Sequence, residues 1–160
     1  METNTDETRA RSYEEVRERI ESLLGDEDDW VAAMATVVAE LHHSFPYFHW
    51  TGFYRVIQEG VLAIGPYQGG HGCLRIPFEK GVCGAAARSK KTQRIEDVTK
   101  VADHIACSAT TRSEIVVPLL DSKGFVVAVL DVDSDDFGAF SSVDEKHLES
   151  LCVFLGNRYF

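Results

Sequence analysis

Apolar residues recur at helical spacing in two stretches near the N-terminus and one near the C-terminus, and cluster in short β-type runs between them. In SYEEVRERIESLLG, Ser12 stands as a cap with Glu15 three residues on, and Gly25 falls where a helix would end. DDWVAAMATVVAELHHSF places Trp30, Met34, Val37, Val38 and Leu41 on one face of a second helix. FHWTGFYRVI and VLAIGPYQ are rich in aromatic and β-branched residues, and Gln58, Glu59 and Gly60 between them predict a hairpin. EIVVPLL and FVVAVLDVD predict a second hairpin, turning at residues 121–124. SSVDEKHLESLCVFLGNRYF closes as a capped helix with Val143, Leu148, Leu151, Cys152 and Leu155 on one stripe. Strands joined by hairpins and bracketed by helices imply an α+β fold, an antiparallel sheet flanked by N- and C-terminal helices.

Composition narrows this further. At 160 residues and 44% hydrophobic, the chain reads as one domain over residues 1–160 with a core of ordinary size. Residues 1–11, polar and charged, read as a loosely held tail. No apolar run approaches the ~20 residues that span a bilayer, and no apolar stretch follows a basic start. The expectation is a soluble cytoplasmic protein without a membrane partner. A net charge of -10 repels phosphate backbones, and Lys90, Lys91 and Arg94 form only a short basic run, so nucleic acid is not an expected partner. In a reducing compartment, cysteines close in sequence point to catalysis, redox sensing or metal binding rather than to structural bridges.

The second hairpin carries acids at an unusual place. A turn centred on Ser122 and Lys123 pairs Leu120 with Phe125 and, continuing outward, sets Glu114 opposite Asp131. Asp131 and Asp133 share a face by the two-residue period. Three carboxylates therefore converge in strands otherwise apolar enough to be buried. A cation site is favoured over the plainer reading, in which Arg112 or a lysine neutralises a solvated strand end. Pro118 suits an edge or a bulge and could shift the register.

The four cysteines differ in setting. Cys152 sits on the final helical stripe and reads as a small buried hydrophobe. Cys83 follows Gly81 at the start of a short Ala-rich helix, where free N–H groups lower a thiol's pKa; packing against that helix explains it equally well. Cys107 lies in a Ser/Thr-rich loop between His104 and Arg112, a setting that favours thiolate. Cys73 follows three glycines in QGGHGCLRIPF, whose freedom could bring sulfur to sulfur. His71, Cys73, Cys83, His104 and Cys107 are also zinc-ligand types, although no C-x-x-C pair supports a structural zinc site and no metal is expected.

HWTGFYRV, IGPYQGGHGCLRIPFEKGVCGAAA, HIACSATTRSEIVVPL and VLDVDS together resemble the free methionine-(R)-sulfoxide reductases, a family built on a single GAF domain. The likeness runs in order from Phe48 to the C-terminus. It implies a GAF-like sheet and thiol-dependent reduction of free methionine sulfoxide without a cofactor. Thioredoxin is the usual electron donor in the family, and its members often form homodimers. It also implies Cys107 as attacking thiol, Cys73 as resolving thiol and Cys83 as a third active-site thiol. Trp50 and Tyr54 match the aromatic wall, and Glu114, Asp131 and Asp133 match the acids that hold the substrate. Ser108 departs from the family, where an acid is common, and Cys152 matches no position with a role.

The chemistry fits such a set. A thiolate attacks sulfoxide sulfur when the departing oxygen is protonated, and crowded carboxylates can keep one acid protonated, with Glu114 the favoured donor. A second thiol then condenses with the sulfenic acid. Two other classes compete. A GAF-type sensor could bind an amino acid or report redox state through a Cys73/Cys107 disulfide, but one this short would need a separate partner to act on. A zinc-binding protein is the other.

Overall fold

The computed structural model describes residues 5–160. Helices α1 (Asp6–Leu24) and α2 (Trp30–Ser44) precede strands β1 (Trp50–Gln58), β2 (Val61–Gln68) and β3 (Arg75–Pro77). Helix α3 (Gly81–Ser89), strand β4 (Gln93–Ile95), a 3-10 turn (Val98–Lys100), strands β5 (Ser113–Leu120) and β6 (Val126–Ser134), and helix α4 (Ser142–Tyr159) follow. The strands form one antiparallel sheet in the order β3-β2-β1-β6-β5-β4.

The first helix starts earlier than the sequence predicts. Thr5, not Ser12, is its cap, accepting from the Thr8 N–H, and Asp6 and Glu7 favour the positive end of the helix dipole. Residues 6–11, expected in a loose tail, are therefore helical; residues 1–4 of that tail lie outside the described residues. A distant anchor holds this turn. Arg9 reaches Asp144 and the Ala139 carbonyl, and the fully buried Asp144 also accepts from the Tyr13 and Tyr47 hydroxyls, both at 2.7 Å. Asp144 completes the capping box of Ser141 at the start of α4 as well. Three separate segments thus converge on one carboxylate.

The sheet divides the apolar residues by the two-residue period. Phe53, Ile115, Val117, Leu130 and Val132 face α1, α2 and α4, whereas Trp50, Tyr54, Val116 and Val129 face α3. Pro118 sits beyond the three residues of β5 that β4 covers, so its missing N–H leaves no ladder bond unmade there.

The β5–β6 register departs from expectation. The loop runs from Asp121 to Phe125, with Asp121 Oδ1 accepting from the N–H groups of Lys123 and Phe125. Leu120 pairs with Val126 rather than Phe125, and a bulge follows because Leu119 pairs with Ala128. The longer loop and the bulge together slide the strands by two residues. Glu114 therefore stands opposite Asp133, and Val116 opposite Asp131. A slip of two preserves the face of every side chain, so the acids still meet.

Candidate functional site

On the α3 side of the sheet, three neighbouring strands present a patterned patch. Strand β1 contributes Trp50, Gly52 and Tyr54, which pair in turn with Asp133, Asp131 and Val129 of β6. Glu114 and Val116 of β5 lie beyond. The patch is aromatic on one flank and acidic in the middle, and it grades into apolar packing along the strands.

The aromatic wall depends on a glycine. A Cβ on Gly52 would lie 2.5 Å from Trp50 Cη2 and 2.6 Å from Tyr67 Cβ, so the indole lies across the bare strand. Its ring stacks with Tyr54 at 5.8 Å and Tyr67 at 5.3 Å between centroids. Trp50 Nε1 donates to the Gly70 carbonyl at 2.7 Å, which ties the wall to the glycine-rich loop before Cys73. A Cβ on Gly72 would come within 2.9 Å of the Tyr54 hydroxyl, so this glycine also serves close packing.

A cavity opens between this wall, α3 and the loop before β5. Every sequence-predicted site residue except Cys73 lines it: Trp50, Tyr54, Cys83, Cys107, Glu114, Asp131 and Asp133. Cys73 is present through its disulfide to Cys107, with the two Cα atoms 5.4 Å apart. Both of these cysteines are partly exposed, whereas Cys83 is buried. Ile105 closes one side, its side chain against the spot a Cβ on Gly81 would fill. Gly81 has φ +70°, which disfavours such a side chain in any case.

The electrostatics follow from this enclosure. Glu114 and Asp131 are each 5% exposed, and Glu114 Oε2 and Asp131 Oδ1 have no hydrogen-bond partner. Burial raises the pKa of all three acids; Asp133 adds to the effect on Glu114, Glu114 to that on Asp131, and Asp131 to that on Asp133. No lysine or arginine among the described residues lines the cavity. Arg112 turns away, bonding the Ala109 and Thr111 carbonyls and lying near the Phe137 ring, so it does not neutralise the acids. His104 Nε2 lies 3.4 Å from Glu114 Oε2. Burial pushes His104 down and Glu114 up, so it disfavours the ionised form of both partners in this contact.

Of the two readings of Cys83, packing against α3 accords with its burial. The helix start alone would lower its pKa, but burial pushes the thiol up, and the charges of Asp131, Glu114 and Asp133 push it further. Three nearby carboxylates and loss of water outweigh the partial charge of one short helix. Sequence reasoning missed Gly52, Tyr67 and Ile105. A glycine amid aromatic strand residues was the available signal for the first, since it marks close approach.

Residues 26–157 match the GAF domain family. Free methionine-R-sulfoxide reductase of Escherichia coli is 40% identical over 143 residues, spanning 89% of this chain and 86% of its own. That of Saccharomyces cerevisiae is 37% identical, spanning 88% of each chain. The structure of free methionine-R-sulfoxide reductase from Neisseria meningitidis in complex with its substrate aligns with a TM-score of 0.88 at 44% identity, over 94% of this chain and 89% of that one. This chain belongs to the free methionine-(R)-sulfoxide reductase family of GAF domains.

Within the free methionine-(R)-sulfoxide reductases, the two departures of this chain have plain settings. Ser108 is exposed and pairs with the Thr110 hydroxyl at 3.1 Å. Cys152 is buried in the apolar layer on the opposite side of the sheet. No helix among the described residues is long and apolar enough to cross a membrane.

Proposed function

We propose that this chain, acting as one domain over residues 1–160, reduces free methionine (R)-sulfoxide to methionine through an internal disulfide. The observation that carries the reading is the Cys73–Cys107 disulfide set beside a cavity with an aromatic wall and three cation-free acids. In the reduced protein Cys107 attacks the sulfoxide sulfur, forming a sulfur–sulfur bond as Glu114 protonates the oxygen. The hydroxyl then passes from the substrate sulfur to the Cys107 sulfur as the sulfur–sulfur bond breaks, so methionine leaves as the thioether and Cys107 carries the oxygen as a sulfenic acid. The Cys73 thiol then attacks the sulfenic sulfur, a disulfide forms and water departs. An external dithiol, thioredoxin in the cytoplasm, returns the protein to its reduced state by exchange.

Substrate placement follows from the same patch. The α-ammonium takes the place of the missing cation at Asp131 and Asp133, where a charge-assisted contact offsets burial of the acids. The S-methyl end lies against Trp50 and Tyr54. A methionine inside a peptide has no such ammonium, so the site selects the free amino acid. The deciding experiment incubates the reduced protein with each epimer of free L-methionine sulfoxide and a thioredoxin system. Methionine release from the R epimer is expected; no release from either epimer would leave the ligand-sensing reading of the same pocket.

A further inference from the structure

Besides the roles proposed above for Glu114 and Asp131, the cavity groups these two acids with Cys83 as three donors of metal-ligand type. Cys83 Sγ and one carboxylate oxygen each from Glu114 and Asp131 lie within 4.8 Å of one another, and all three residues are buried. Glu114 Oε2 and Asp131 Oδ1 are without partners at residues only 5% exposed, and both residues line the cavity. A buried acceptor left unpaired destabilises the fold, and more so when it is charged. The arrangement is shaped to receive positive charge. We propose that Cys83, Glu114 and Asp131 form a binding site for a borderline-soft divalent cation of the zinc class.

The donor set selects the ion. Magnesium and calcium take oxygen ligands, whereas one thiolate with two carboxylates suits zinc and its heavier congener cadmium. Zinc bonds of about 2.0–2.3 Å place tetrahedral ligand atoms roughly 3.3–3.8 Å apart, so closing the cluster needs movement of about 1 Å at the side-chain ends. Three protein ligands leave a fourth position open. His104 Nε2, 3.4 Å from Glu114 Oε2, stands where a second-layer imidazole steadies a carboxylate ligand. Of the ligand types considered from the sequence Cys83 alone belongs to this set, and Cys73 and Cys107, bonded to each other, cannot serve.

Binding displaces protons that burial favours on these groups, and a divalent ion offsets two of the three negative charges that a thiolate and two carboxylates then carry. Because the disulfide leaves Cys83 free, the site persists in the oxidised protein. That the ion would exclude the substrate rests on the function proposed above; that it binds does not.

The experiment uses oxidised protein carrying Cys152→Ser, in which Cys83 is the remaining thiol of the four cysteines in the chain. Titration with cadmium ion is expected to raise an ultraviolet sulfur-to-cadmium charge-transfer band that saturates at one ion per chain and that zinc ion reverses. Adding Asp131→Asn should weaken cadmium binding by about tenfold or more. Absence of the band, or an unchanged affinity in the Asp131→Asn protein, overturns the site. Free methionine sulfoxide should raise the apparent Kd for cadmium. A band whose Kd the sulfoxide leaves unchanged upholds the metal site and removes the shared-cavity reading of substrate binding instead.

Discussion

Glu114 stands directly across the ladder from Asp133, with Asp131 next along the same face of β6. Like charges in that position destabilise a sheet, and no lysine or arginine among the described residues lines the cavity they share. The fold holds an unresolved electrostatic conflict at the one place where the proposed substrate carries its positive charge.

Stability should therefore depend on pH in a defined direction. An acid whose pKa is raised by folding binds its proton more tightly in the folded state, so its contribution is most favourable below the ordinary carboxylate range. Stability is lost as pH rises from about 4 toward the raised values of Glu114, Asp131 and Asp133. Asp131→Asn removes one such group. The variant is expected to melt progressively higher than the substrate-free wild type as pH increases from 5 to 8. Thermal melts across that range decide it; a constant gap would deny the conflict.

The two bonded cysteines should separate in single-turnover experiments. Cys107→Ser is expected to release no methionine, since a hydroxyl is a far weaker nucleophile near neutral pH. Cys73→Ser is expected to release about one methionine per chain and then stall with thioredoxin, because the sulfenic acid has lost its thiol partner. Full steady-state turnover by Cys73→Ser would assign resolution to Cys83.

N-acetyl-methionine sulfoxide probes the acids without mutation. It keeps the sulfoxide and the carboxylate but lacks the ammonium, and should be reduced with kcat/KM lower by about a hundredfold, the scale of a lost charged contact. Asp133→Asn should raise KM for the free amino acid in the same sense. Equal rates for the two substrates would refute ammonium recognition.

Gly52 offers a test of the aromatic wall. An added methyl meets Trp50 and Tyr67 at distances no packing tolerates, and Gly52→Ala is expected to displace the indole. About 1–3 kcal/mol of stability should be lost, and kcat/KM should fall by about tenfold. Tryptophan fluorescence and steady-state kinetics read the two effects. Unchanged emission would mean that the strand, not the ring, gives way.

Most of the architecture was legible because its signals are local. Periodicity placed α2, α4 and both hairpins, and the glycine of the 58–60 turn marked the first of them. The face shared by Glu114, Asp131 and Asp133 survived an error of register because a slip of two residues changes partners and not faces. Three matters were less accessible. The start of α1 depends on Arg9 finding Asp144, a partner 135 residues away. The bulge at the base of the second hairpin reflects side-chain bonding by Asp121, which a count of turn residues does not reveal. The thiol of Cys83 is governed by carboxylates from other strands, and a helix-start argument cannot see them.

The convergence on Asp144 has a consequence for how the chain is made. A ribosome delivers α1 early, yet the carboxylate that receives Arg9 and Tyr13 arrives only after every strand of the sheet has been synthesised. Contacts of such separation close large loops and form late. Until then Val16, Ile20 and Leu24 can pack against α2 but have no α4 to lie beside, so part of the apolar stripe of α1 stays uncovered until α4 has been made.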